Sequence, residues 1–167
     1  MSLIWTHSPI FVHSAHVVPA APRNAGDLVL ELVTLPAPDV PPTVREMVTN
    51  RLMWWGVARE SVGELSLAAV ELVTNACRET PLARVGFRAV LAPRAREITI
   101  AAWDGSPEMP KMDDSALTLE EIDALPDDHE FGGWGLRLVA GSAARVGTRS
   151  TEGGGKWVYA IYRPKFT

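Results

Sequence analysis

Three short stretches carry residue types that could do chemistry. In Glu71-Leu-Val-Thr-Asn-Ala76, Glu71 and Asn75 stand four residues apart, and Arg78 follows closely. On a helix this spacing puts both on one face, one turn apart, with Arg78 near them. A carboxylate and an amide oxygen so placed suit a hard cation such as Mg2+, which takes oxygen ligands and keeps several waters. The same pattern fits a solvated polar stripe, because such pairs are common on amphipathic helices.

Asp104-Gly105 comes directly after an apolar run that ends at Trp103. A carboxylate at a strand's end can accept a hydrogen bond from a ligand amine, and Gly105 lets backbone come close. An ordinary Asp-Gly turn gives the same two letters. The third stretch is Gly132-Gly133-Trp134-Gly135-Leu136, opening a helical pattern after a long polar segment. Free N–H groups at a helix N-terminus hold phosphate, and glycines let it approach. A glycine cluster there is equally the hinge of a loop.

The elements that must position these residues read clearly. Residues 27–35 (DLVLELVTL) are a short Val/Leu-rich strand. The stretch 36–42 (PAPDVPP) is a breaker. Residues 43–56 are helical, with Val44, Met47, Val48, Arg51 and Leu52 near one face and Gly56 as the stop. Ser61 and Glu64 have capping-box spacing. The long helix they would open runs to Glu79, before Pro81. Strands are predicted at 84–92, 96–103, 145–150 and 156–163, with the last two joined around Gly153, Gly154 and Gly155. Residues 133–144 form a further helix, and a short one is expected around 118–124. Helices and strands fall in blocks. The fold class is therefore α+β: a two-layer sandwich whose mixed, mostly antiparallel sheet carries helices on one face.

The chain has 167 residues, the size of one domain. It divides into an extension over 1–26 and a single domain over 27–167. No apolar run is long enough to span a membrane, and residues 1–16 lack a signal peptide's basic start. The lone cysteine, Cys77, excludes an internal disulfide and any multi-cysteine metal site. A cytoplasmic address is the default. A net charge of −4 gives no basic footprint for nucleic acid. Three of the four histidines (His7, His13, His16) fall in the first 16 residues, with no further ligand or frame visible for a metal. Cys77 reads as a small buried hydrophobe. Trp54 and Trp55 read as packing residues.

The three stretches gain meaning from their order: a metal site, a base-recognition site and a phosphate site. In this order the chain resembles the histidine-kinase-like ATPase (GHKL, Bergerat) family, closest to the bacterial anti-sigma-factor serine/threonine kinases. Glu71-Leu-Val-Thr-Asn-Ala76 is similar to the family's N-box, Asp104-Gly105-Ser106-Pro107 to a shortened first glycine box, and Gly133-Trp-Gly-Leu136 to the second. Gly155-Lys-Trp-Val-Tyr-Ala160 resembles the terminal strand. The similarity covers roughly 27–163.

The resemblance implies a Bergerat ATP-binding fold with ATP and Mg2+ as cofactors. Glu71 would be the general base for the attacking hydroxyl. Asn75 would hold the metal, with Arg78 beside it. Asp104, with Gly105, would bind the adenine amino group, and Gly133, Gly135 and Leu136 would shape the phosphate end. Residues 106–132 would be the ATP lid. The implied activity is phosphorylation of Ser or Thr on an anti-anti-sigma (STAS-type) protein, with a sigma factor as second partner and a homodimer as the assembly. The alternative is a catalytically weak nucleotide-binding module that acts by partner binding. Glu79 stands where the family often has His, and Trp134 where it often has Arg or His, so two positive charges are missing. The first box also lacks a second nearby glycine after Asp104-Gly105. Residues 106–131 hold nine acids against one lysine, a charge of −8, which leaves the rest of the chain at +4. The expectation is a lid that repels a triphosphate and stays open in the free protein.

Overall fold

The computed structural model describes residues 26–110 and 134–167 and, for Trp134, only its place in a helix. The elements in chain order are β1 (Leu28–Thr34), α1 (Val40–Trp54), α2 (Arg59–Glu79), β2 (Val85–Ala92), β3 (Glu97–Asp104), α3 (Trp134–Ser142), β4 (Arg145–Ser150) and β5 (Lys156–Tyr162). The strands form one sheet in the order β1-β2-β3-β5-β4. Each of its four pairings is antiparallel, so the expected mostly antiparallel sheet is antiparallel throughout the described strands. The helices cover one face, as the α+β reading expects.

Helix α2 is the centre of the helical layer. It packs on β2, β3 and β5 and against both other described helices, while α1 lies over β1 and α3 over β4 and β5. Its apolar positions Leu65, Ala69, Leu72, Val73 and Ala76 recur at helical spacing and are all buried. They meet Val44, Val48 and Leu52 of α1 and Ile98 and Ile100 of β3 in one core. Fully burying one such Leu contributes about 1.5–3 kcal/mol. That burial fixes α2's rotation, and with it the direction of its polar face. On the sheet's other face, Val90, Ala101 and Trp157 form a smaller cluster under Trp103 and Tyr159.

Three local expectations change. Helix α1 starts at Val40, so Pro41 and Pro42 belong to its first turn rather than to a breaker. First-turn N–H groups have no helical partner, so proline loses nothing there. The capping box at Ser61 and Glu64 does not form. Helix α2 begins at Arg59 after Ala58, and buried Ser61 instead accepts a hydrogen bond from the Lys165 N–H at 3.3 Å. The C-terminal residues thus anchor the start of α2. Trp55 joins the core, but Trp54 is 72% exposed and lies under the Arg51 guanidinium, 5.4 Å from its ring centre. The expected extension over 1–26, up to residue 25, the helix around 118–124 and, from residue 111 on, the expected lid lie outside the described residues.

Candidate functional site

Asp104 is the last residue of β3 and is fully buried. In the antiparallel register it faces Lys156, the first residue of β5. The Lys156 ammonium donates to Asp104 Oδ1 at 2.7 Å, and both side chains are sealed from solvent. The Ser106 N–H donates to the same oxygen at 3.0 Å. Asp104 Oδ2 is buried and has no hydrogen-bond partner among the described residues. Burial pushes the Asp104 carboxyl above the usual carboxylate range, Lys156 and the Ser106 N–H pull it back, and the charge of Glu79 pushes it up again. An unsatisfied buried carboxylate oxygen is costly. It is the feature expected of a site that waits for a donor.

The backbone around Asp104 is held from two sides. At the end of α2, the buried Thr80 hydroxyl accepts the Gly105 N–H at 2.9 Å. On the β5 side, Gly155 adopts φ +77°, and a Cβ built there would lie 2.8 Å from Trp103 Cζ2 and 3.0 Å from Gly105 Cα. Only glycine takes this backbone angle freely and lets the β4–β5 turn press so close. The glycines read as turn residues therefore also seat Lys156 on Asp104.

Glu71 and Asn75 lie one turn apart on α2, and both are half-buried. A Cβ built at Gly135, the second residue of α3, would collide with the Glu71 carboxylate, lying 2.7 Å from its Cδ. The N-terminal turn of α3 thus sits directly on the candidate base. Burial raises the Glu71 pKa, and the charge of exposed Arg78 lowers it in part. A carboxylate shifted upward in this way is a better proton acceptor near neutral pH. Leu136 follows Gly135 and packs against the core. Gly133 lies outside the described residues.

The fold therefore gathers the stretches on one helix. Helix α2 carries Glu71 against Gly135 and, at its far end, Thr80 against Gly105. Two residues of this arrangement, Lys156 and Thr80, were not among the candidates. Lys156 had a signal: it is the only charged residue in the otherwise apolar Lys-Trp-Val-Tyr-Ala-Ile-Tyr run. Thr80 had none, since a threonine before a proline reads as a helix end. Cys77 is half-buried against the core, and burial raises its pKa, as a packing residue requires. His7, His13 and His16 lie outside the described residues. Among the described residues, no three His, Cys, Asp or Glu side chains gather as a metal site. A cation at Asn75 would draw its other ligands from water and from a ligand's oxygens, the habit of Mg2+.

No described helix is long and apolar enough to cross a membrane. The comparison with curated proteins finds no match. The family model of the histidine kinase-like ATPase domain matches residues 35–162, which takes in Glu71, Asn75, Asp104, Gly135 and Lys156. That span is most of the chain, and its described residues form an antiparallel sheet under three helices, the architecture such a domain needs, so the chain belongs to the histidine kinase-like ATPase family, an ATP-binding, kinase-like domain.

Proposed function

We propose that the protein binds ATP with Mg2+ and transfers its γ-phosphoryl group to a Ser or Thr of an anti-anti-sigma (STAS-type) protein, holding a sigma factor when that partner is scarce. The observation that carries this reading is the bridging role of α2, which sets Glu71 against Gly135 at one point and Thr80 against Gly105 at another. Thr80 lies nine positions beyond Glu71, roughly 13 Å along the helix axis. An extended nucleotide, with its base at one end and its phosphates at the other, suits that separation.

Asp104 Oδ2 would accept the adenine amine, and Gly105 lets the base lie near the backbone. Gly133, Gly135 and Leu136 would frame the phosphates, and Asn75, with Arg78 nearby, would hold the metal. When bound, Mg2+ supplies charge neutralisation on the phosphate oxygens. Glu71 orients the partner's hydroxyl and takes its proton as the oxygen bonds to the γ-phosphorus and the bond to ADP breaks. Its raised pKa serves that role. The assembly on this reading is a homodimer.

A catalytically weak binding module is the second reading. It is favoured by Glu79 and Trp134, which on the family resemblance remove two positive charges from the phosphate end. Two assays separate the readings: titration of ATP with and without Mg2+, and transfer of labelled γ-phosphate to a STAS-type protein of the same organism. Binding together with transfer supports the kinase. Binding without transfer to any such protein favours the module, and no binding refutes both.

A further inference from the structure

The pairing of Asp104 leaves an asymmetry between its two oxygens. Oδ1 accepts from Lys156 and from the Ser106 N–H, at 2.7 and 3.0 Å, which fills its in-plane acceptor positions. Oδ2 is buried and free of partners among the described residues. A purine meets such a carboxylate in one of two ways. Guanine offers two adjacent donors, a ring N–H and an exocyclic amine, and engages both oxygens of a carboxylate. Adenine offers one exocyclic amine and needs one oxygen. We infer that Lys156 is a positioning and specificity residue: by occupying Oδ1 it leaves Asp104 a single acceptor and selects adenine over guanine. This rests on the proposed nucleobase role of Asp104.

Packing alone does not account for Lys156. It opens an otherwise apolar strand, and an apolar side chain of similar volume often serves a buried position as well as an ion pair does. Its ammonium also reaches the Ser106 carbonyl at 3.4 Å, so one side chain fixes both the carboxylate and the turn after it. The charged groups acting on Asp104 are Lys156 from β5 and Glu79 from the end of α2. Without Lys156, burial and Glu79 favour the neutral carboxyl, opposed only by the Ser106 N–H.

The test is equilibrium binding of ATP and GTP to the full chain, for wild type, Lys156→Met, Lys156→Gln and Asp104→Asn, between pH 5.5 and 8. Wild type should prefer ATP by about 10- to 100-fold, the range for one unmatched buried donor. In Lys156→Met that preference should shrink to within about threefold of unity. ATP affinity should then rise with pH, since an ionised acceptor bonds more strongly than a neutral one. Lys156→Gln keeps an N–H donor and should keep most of the preference. A wild-type protein that binds GTP as tightly as ATP overturns the inference whether or not the variants fold. So does a folded Lys156→Met with the wild-type ratio and a flat pH profile. If Asp104→Asn binds ATP as tightly as wild type, the base-site reading itself falls. If Asp104→Asn loses ATP while Lys156→Met behaves as wild type, only the role of Lys156 falls.

Discussion

The Glu71 carboxylate occupies the space that a side chain at residue 135 would need. Gly135 is thus required by its neighbour rather than by its own backbone angle. Gly135→Ala must push the carboxylate aside, and a flexible side chain can yield at modest cost, about 1–2 kcal/mol. On the proposed mechanism the displaced carboxylate then no longer meets the partner's hydroxyl. The expected outcome is a folded variant that still binds ATP but transfers phosphate about 100-fold more slowly. Calorimetric ATP titration beside a transfer assay checks both halves. Full transfer activity in a folded Gly135→Ala would separate Glu71 from the chemistry.

Glu71→Gln tests the base directly. The amide keeps the shape and loses the proton acceptor, so transfer should fall about 10²–10⁴-fold with ATP still bound. Stability should move the other way. Burial holds the Glu71 pKa above 4.5 in the folded protein. Just above that value the folded state binds more protons than the unfolded chain, so this group's contribution declines as pH rises through the folded pKa. Glutamine removes the decline. Since Glu71 is only half-buried, the gain at pH 7 should stay under about 1 kcal/mol and vanish near pH 4. Urea unfolding at the two pH values measures it, and a variant less stable than wild type at pH 7 would contradict the desolvation argument.

Much of this site was legible from the chain alone. Leu65, Leu72 and Ala76 set the rotation of α2 by their spacing, so the polar face holding Glu71 and Asn75 followed from local pattern. The run ending at Trp103 placed Asp104 at a strand's end. What spacing could not show was non-local. Lys156 meets Asp104 only because β5 pairs with β3, and Thr80 meets Gly105 only because α2 ends above the tip of β3. The capping box failed for the same kind of reason: Ser61 is used by Lys165, 104 residues away.

Asp104→Asn should weaken ATP binding. The amide can still accept from Lys156, but its NH₂ then meets the ligand's amine donor to donor. The loss should be about 1–3 kcal/mol, or 5- to 150-fold in Kd. The fold should weaken as well, since Lys156 keeps its buried charge without a counter-charge. Fluorescent-ATP titration below the unfolding temperature isolates the binding term. Unchanged affinity would remove Asp104 from the base site.

Residues 106–131 carry a charge of −8 by composition. Exposed charges are screened beyond about 8 Å at physiological salt and over longer distances at low salt. ATP affinity should therefore improve as salt rises from low values, and neutralising Asp127, Asp128 and Glu130 together should tighten binding. Titrations at two salt concentrations check this. Affinity that falls with salt, with no gain in the triple variant, would place these acids away from the phosphates.

Thr80 offers the cleanest link between the helix and the proposed base site. Its hydroxyl takes the Gly105 N–H at 2.9 Å, one residue beyond Asp104. Thr80→Val keeps the volume but leaves that N–H without its acceptor, at a cost of about 1–3 kcal/mol. The freed Gly105 lets the turn that carries Asp104 shift against α2, so ATP affinity should drop several-fold while the Glu71 end stays intact. Thr80→Ser keeps the acceptor and should restore most of both stability and affinity. The pair therefore separates the hydrogen bond from the packing of the Thr80 methyl, which lies 3.6 Å from the position of a Cβ on Gly105. Thermal unfolding and ATP titration of the two variants decide between them. If serine is as damaging as valine, the methyl contact rather than the hydrogen bond ties α2 to the base site.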